Sequence, residues 1–321
     1  MVAKVLDIIG ENFNTSRRIK ATSPRVVKDG DSVKLSYVNL KGETDFLDVT
    51  SIYPEDPNEV KKTQLTHVAQ ALHTKNMDYI EWLIQRQIEA GANIIDICVD
   101  EICVDEEERR NWMRWIIPVV QKMSDLTFAI DSSDPLTITA GLEVYDCSKS
   151  QPAINSVNLE RGRDVLIPLA KKYDALLLAN ASGRDNIPTS KEERVENLSK
   201  LMEMMDEEDI PMGNRYLDPL CFPVGAAPEA AMHYLEACKE LRDKYPDVHL
   251  FGGHSNTSFG MPQRKVLNSA FIISSILNGC DTLMIDPIMN EVGPFNEFKL
   301  SYDVLQGKDL MGMEYISYFR S

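Results

Sequence analysis

The chain has 321 residues, with 34 Lys and Arg against 50 Asp and Glu and a formal net charge of −16 at pH 7. A polyanion of this kind repels a phosphate backbone, which argues against nucleic acid as a partner. With 43% hydrophobic and 26% charged residues the composition is that of an ordinary globular protein, able to bury a sizeable core without covalent staples.

Cys98, Cys103, Cys147, Cys221, Cys238 and Cys280 form no CxxC pair and have no His at metal-finger spacing. Neither a disulfide framework nor a structural zinc is expected, and a reducing cytoplasm is the expected location. No run approaches the roughly 18 apolar residues of a membrane span. The start MVAKVLDIIGENF carries Asp7 inside a short apolar stretch, which is unlike a signal peptide.

Along the chain, short apolar β-branched runs alternate with helical segments, as in a parallel α/β sheet. Eight runs are legible, at residues 4–9, 93–99, 127–131, 153–157, 175–179, 215–220, 249–253 and 282–286. Eight strands with room for a helix between most of them predict a closed (β/α)8 TIM barrel, a single α/β domain over residues 1–321. Helices are predicted at 77–90, ending at Gly91, at 106–123 with the stripe Trp112, Trp115, Ile116 and Val119, and at 191–205 behind Thr189 and Ser190. Residues 262–279 are richly apolar but interrupted by Asn268, Ser274 and Ser275, which predicts a packing helix rather than a membrane span. Residues 22–66 break the repeat. Their alternation, with a turn near Lys41 and Gly42, predicts a β-hairpin inserted at the barrel mouth after strand one.

Barrel active sites sit where the strands end, and these ends are polar. Glu11, Asn12 and Asn14 follow the first strand, Asp96, Asp100 and Glu101 surround the second, and Asp131 to Ser133 follow the third. Asn155, Ser156, Asn158, Asn180, Asp218, His254 to Asn256 and Asp286 continue the ring through strand eight. Carboxylates and carboxamides with few cations suit a neutral heterocycle rich in N–H donors, because a carboxylate accepts two parallel N–H bonds from an aminopyrimidine edge. Magnesium or calcium is the competing ligand class for such oxygens. No HxH or HExxH spacing supports a catalytic metal, and none is expected.

The strings IGENFN at 9–14, GANIID ending at Asp96, AIDSSDP at 130–135, AINSVNLE at 153–160, LDPL at 217–220 and GGHSNTSFGMPQR at 252–264 occur in order along most of the chain. Together they resemble the pterin-binding barrel family, and most of all its methyltetrahydrofolate:corrinoid methyltransferases. The resemblance implies methyl transfer between N5 of tetrahydrofolate and the cobalt of a corrinoid (cobalamin), which a second protein would carry, since no DxHxxG corrinoid string occurs here. It thus implies a corrinoid protein as partner, and a homodimer. By position, Asp131, Asn155 and Asp218 would hold the pterin, Asp96 would be a further acidic contact, and Gly253 and Ser255 would flank Asn256, the residue that reaches N5. Arg264 recurs at the following helix, and Asn14, Asn180 and His254 are further candidates. Two departures stand out: relatives carry Asn where this chain has Cys98, and the compact members lack residues 22–66, which makes that insertion the candidate docking surface for the corrinoid protein.

Blander roles compete at each position. Asp131 and Asp218 could cap a following helix, Asn155 could be a satisfied core carboxamide, and Asn256 could be a turn residue. Dihydropteroate synthase, the nearest alternative, would be expected to present Lys-x-Ser-Arg on strand seven and Arg-x-His on strand eight, where this chain reads GHSN and MIDPIMN. A noncatalytic folate-binding subunit is the other alternative. For methyl transfer, the expected role of Asn256 is a hydrogen bond to N5 that strengthens as the proton arrives, with His254 a candidate acid.

Overall fold

The computed structural model describes residues 5–320. The first barrel strand is β1 (Asp7–Asn14). Five strands of the inserted segment follow: β2 (Ile19–Lys20), β3 (Val26–Asp29), β4 (Ser32–Val38), β5 (Thr44–Asp48) and β6 (Gln64–Leu65). The other barrel strands are β7 (Ile94–Cys98), β8 (Thr127–Asp131), β9 (Ala153–Val157), β10 (Leu176–Asn180), β11 (Arg215–Asp218), β12 (His249–Leu250) and β13 (Thr282–Ile285). These eight pair in parallel in the order β12-β11-β10-β9-β8-β7-β1-β13. A single bridge, Gly253 to Met284, brings the two ends together, so the eight make a nearly closed (β/α)8 barrel, as expected from the alternation of runs.

The seven later strands fall on the predicted runs, β8 and β9 without any shift and the others with end shifts of up to three residues. The first does not: its predicted start, Lys4, lies outside the described residues, and the strand continues through Glu11 to Asn14. Pairing of Phe13 and Asn14 with Ile97 and Cys98, and burial of Phe13, carry it past the last β-branched residue.

Side chains alternate across a strand, so every second residue faces the barrel interior. Low in the barrel these are Ile9, Ile94, Ala129, Ala153, Leu176, Leu178, Tyr216 and Phe251, which form one apolar cluster. Toward the strand ends the same rows turn polar: Ile94 gives way to Asp96, Ala129 to Asp131, Ala153 to Asn155, Leu178 to Asn180 and Tyr216 to Asp218. The floor of the site is thus apolar and its wall polar, in one stack.

The outer shell holds α1 (His67–His73), α2 (Met77–Glu89), α3 (Glu106–Val120), α4 (Pro135–Leu142), α5 (Leu166–Tyr173), α6 (Lys191–Glu207), α7 (Ala230–Lys244), α8 (Arg264–Leu277), α9 (Gly293–Leu305) and α10 (Met313–Arg320). Their starts follow side-chain capping: Asn76 accepts from the Tyr79 N–H at 2.9 Å, and Ser190 and Glu193 form a reciprocal capping box at α6. The apolar stretch at 262–279 is α8, a surface helix that buries Phe271, Ile272 and Ile276. No helix of the described residues is long and apolar enough to cross a membrane.

The insertion contains the expected hairpin, β4–β5 with its turn at residues 39–43, and extends it. It is a three-stranded antiparallel sheet, β3-β4-β5, because the short VVKD run pairs with β4 as well. It also lies along the barrel's flank. Leu35, Leu47 and Val49 are buried in the main core, and Tyr37 meets Tyr79 and Trp82 of α2 at centroid distances of 4.8 and 5.1 Å. Alternating burial along β4 gives this sheet one face for the helices and one for solvent. The short β2–β6 pair ties its stem near the end of β1.

Candidate active site

Parallel register brings the predicted residues to common heights. Cys98 pairs with Asp131 and Asp131 with Asn155, while Asn180 pairs with Asp218. One turn of the side-chain alternation lower, Asp96 accepts a hydrogen bond from Asn155 Nδ2 at 2.9 Å. Asp96, Asp131 and Asn155 therefore meet above the apolar floor, and Asp218 ends β11, two strands beyond Asn155. Asp96 is 1% exposed and Asp218 8%.

Taking a carboxylate out of water without a cation beside it favours its neutral form. Burial raises Asp218 to about 7, against smaller opposing effects of the Leu220 N–H and the Arg194 guanidinium. Burial raises Asp131 to about 6, helped by the Asp100 carboxylate and opposed by hydrogen bonds from Cys98 and Asp96. Asp96 is pushed well above the usual carboxylate range, by burial first and by Asp131 second. Cys98 supplies a thiol beside Asp131, and burial pushes the pKa of that thiol up too. Burial is thus the first influence on all three carboxyls.

The wall is fixed from behind by Arg163, which the sequence reading did not single out. It is buried, its Nε donates to Ser156 O at 2.9 Å, and its Nη1 donates to Ser133 O at 2.6 Å. A guanidinium with five fixed donors can hold several carbonyls at once, here binding the ends of β8 and β9 together. Asp100 accepts from Ser132 Oγ and from Ser133 N and Oγ, which orders the loop after β8.

Strand seven ends in a short 3-10 turn, His254–Ser258. Ser255 Oγ donates to Glu11 Oε1 at 3.0 Å, and Arg264 donates from Nη2 to Ser255 O at 2.8 Å and from Nε to Ser258 Oγ at 3.0 Å. Between these anchors Asn256 is exposed, and its carboxamide has no hydrogen bond among the described residues. Gly253 matters for its placement: a Cβ there would come within 2.9 Å of Asn256 Nδ2. Glu11 is half-buried, with burial raising its pKa and Arg17 Nη2 at 3.7 Å lowering it. Sequence reasoning placed Glu11 past the end of strand one; the GEN string right after the apolar run was the available signal.

The other candidates are committed to contacts of their own. His254 has no exposed surface, and its ring lies 6.1 Å from Tyr234 and 5.6 Å from Phe271, in the shell of α7 and α8. Burial lowers it to about 4, so it is neutral, and the expectation of an acid at the mouth is corrected: the turn sends its ring outward. Asn14 accepts from Ser16 N at 2.9 Å and shapes the turn after β1. Asn180 donates to Ser156 Oγ at 2.7 Å and accepts from Ser182 N at 3.0 Å, so its carboxamide is spent on neighbouring loops.

Comparison with known proteins agrees with this geometry. Residues 67–286 match the family described as pterin binding enzyme. The chain is 29% identical over 257 residues to the methylcorrinoid:tetrahydrofolate methyltransferase of Eubacterium limosum, covering 79% of this chain and 91% of that one. Among solved structures, a Yersinia pestis dihydropteroate synthase with a pterine-sulfa conjugate aligns with a TM-score of 0.55 at 18% identity, over 72% of this chain and 90% of that one. A Clostridium difficile dihydropteroate synthase with pteroic acid aligns at 0.54 and 19% identity, over 72% and 89%. These two share the barrel fold. With a match over more than half of its length and a polar layer at the barrel mouth, the chain belongs to the pterin-binding enzyme family.

Proposed function

We propose that this chain moves a methyl group between N5 of tetrahydrofolate and the cobalt of a corrinoid carried by a separate protein. The observation that carries the reading is the exposed Asn256 carboxamide, without a hydrogen bond among the described residues, after a strand of the same barrel whose strand ends carry Asp131 and Asp218, both raised by burial. The name of the Eubacterium limosum relative supports it. In this reading Asp131 and Asp218 accept from the amino and ring N–H groups of the pterin, Asn155 offers both a donor and an acceptor, and Asp96 orients Asn155.

The folate amine is a poor leaving group as an anion, so N5 must gain positive character while the N–methyl bond breaks. The corrinoid supplies the cobalt nucleophile that takes the methyl carbon; the electron pair of the broken bond stays on N5, which takes up a proton. Asn256 Nδ2 donates to N5 or Oδ1 accepts from its proton, and Ser255, Glu11 and Arg264 hold the turn that aims it. The polar layer fixes the pterin plane, which raises the effective concentration of the methyl group at the mouth.

The test is the cobalt absorbance of free cob(I)alamin mixed with 5-methyltetrahydrofolate and the chain. The spectrum should change to that of the methylated corrinoid. Folate that binds without any change in the cobalt spectrum would overturn the reading in favour of a folate-binding subunit.

A further inference from the structure

Behind the wall that carries Asp218, a groove of about 490 Å³ opens between the starts of α6 and α7. Ile187, Pro188, Phe222, Ala227 and Pro228 make its sides. Arg194 of α6 lies in its lining and is 1% exposed. The guanidinium sits 5.3 Å from the centre of the Phe222 ring, and Nη1 donates to Ser190 O at 2.8 Å. Its Nε is buried with no partner, and no carboxylate of the described residues forms an ion pair with it. His233 on the facing helix likewise has a buried Nδ1 without a partner.

A buried guanidinium with one hydrogen bond is costly, because a charge removed from water needs paired acceptors. The pairing group must be an anion able to meet a planar fork, and the apolar sides ask that it be carried on an apolar body. Glu229 also lines the groove, which disfavours a doubly charged phosphate and favours a singly charged carboxylate. We propose that this groove is a second binding site, for a carboxylate borne on an aromatic or apolar body, with Arg194 as its charge partner. Arg194 also acts electrostatically on Asp218, so an anion in the groove and a pterin at Asp218 are coupled, each altering the affinity of the other.

Two sources offer this chemistry: the benzoyl-glutamate tail of the folate itself, which rests on the function proposed above, and a separate small carboxylate, which does not. Benzoate is the probe for the second. Ala227→Trp fills the groove from a loop and leaves Arg194 in place; Arg194→Gln removes the charge. Thermal unfolding is followed with millimolar benzoate, and dissociation constants are measured for 5-methyltetrahydrofolate and for a methylated tetrahydropterin without the tail.

A benzoate-induced rise in Tm in the parent that vanishes in Ala227→Trp supports a separate carboxylate, whether or not folate binds. A parent preference for the tailed ligand of roughly tenfold, the scale of one charged hydrogen bond, that vanishes in Ala227→Trp supports the tail as occupant. Arg194→Gln should repeat either result. The proposal is overturned if benzoate leaves the parent Tm unchanged and Ala227→Trp keeps the ratio of tailed to tail-less affinity.

Discussion

Asn256 stands between two held neighbours: Ser255 is tied through side chain and carbonyl, and Thr257 is buried. Its own side chain makes no hydrogen bond among the described residues, so truncating it should leave the turn intact. Asn256→Ala is expected to slow single-turnover methyl transfer by on the order of 10²- to 10³-fold with little change in the folate dissociation constant, since only an interaction stronger in the transition state speeds the step. A loss confined to binding would make Asn256 a part of the pocket wall. The carboxyls predict a pH dependence. Asp131 and Asp218, raised to about 6 and about 7, offer two acceptor oxygens to a pair of N–H donors only when ionised, because the neutral carboxyl turns one oxygen into a donor. Folate binding should therefore tighten as pH rises through these values and weaken below them. Calorimetry across this range checks the slope, and Asp218→Asn should both weaken binding, by about 1.5–3 kcal/mol for a lost charged hydrogen bond, and flatten it.

At the level of elements, the flanking sheet is part of the core. Leu35 and Leu47 are fully buried, and Tyr37 covers Tyr79 and Trp82, so removing residues 29–48 would bare an apolar face of α2. Each such side chain contributes about 1.5–3 kcal/mol when fully buried. The deletion is expected to lower Tm markedly, measured by circular dichroism, rather than leave a sound barrel. The alternation in SVKLSYV made β4 legible, because one face is buried and one is wet. The sheet's third strand was not legible: Val26–Asp29 is short and exposed over most of its length, and pairing, not patterning, makes it a strand. In the same way the apolar run at the start of the chain showed β1 up to Ile9, while its polar end, with Glu11, is held by pairing with β7. The inward rows of β7 to β11 were readable since their side chains change from apolar to polar at the height of the mouth. Arg163 was not, because a guanidinium satisfied by carbonyls has the same sequence as one in solvent.

For the whole molecule, the raised carboxyls link the site to stability. Burial pushes Asp218 up from the ordinary 3.8 to about 7, so between these values the native state holds more protons than the unfolded chain. Its contribution then falls as pH rises from about 4 to 7, the reverse of a salt-bridged carboxylate. An Asn cannot ionise, so the Tm of Asp218→Asn minus that of the parent should grow with pH across this window; a constant difference would show that Asp218 ionises normally. The barrel's closure has a consequence of another kind. Strand β12 has two residues, and past them the ladder to β13 rests on Gly253 and Met284, with Met284 N reaching Gly252 O at 3.3 Å. Asp96, Asp131 and Asn155 lie among longer strands on the far side, while Asp218 ends β11 beside β12. Breathing of the barrel should therefore be lopsided: amides of residues 251–258 should exchange with deuterium sooner than those of β7 to β9, so that Asn256 rides on the part of the ring that yields while the wall of β7 to β9 stays shut.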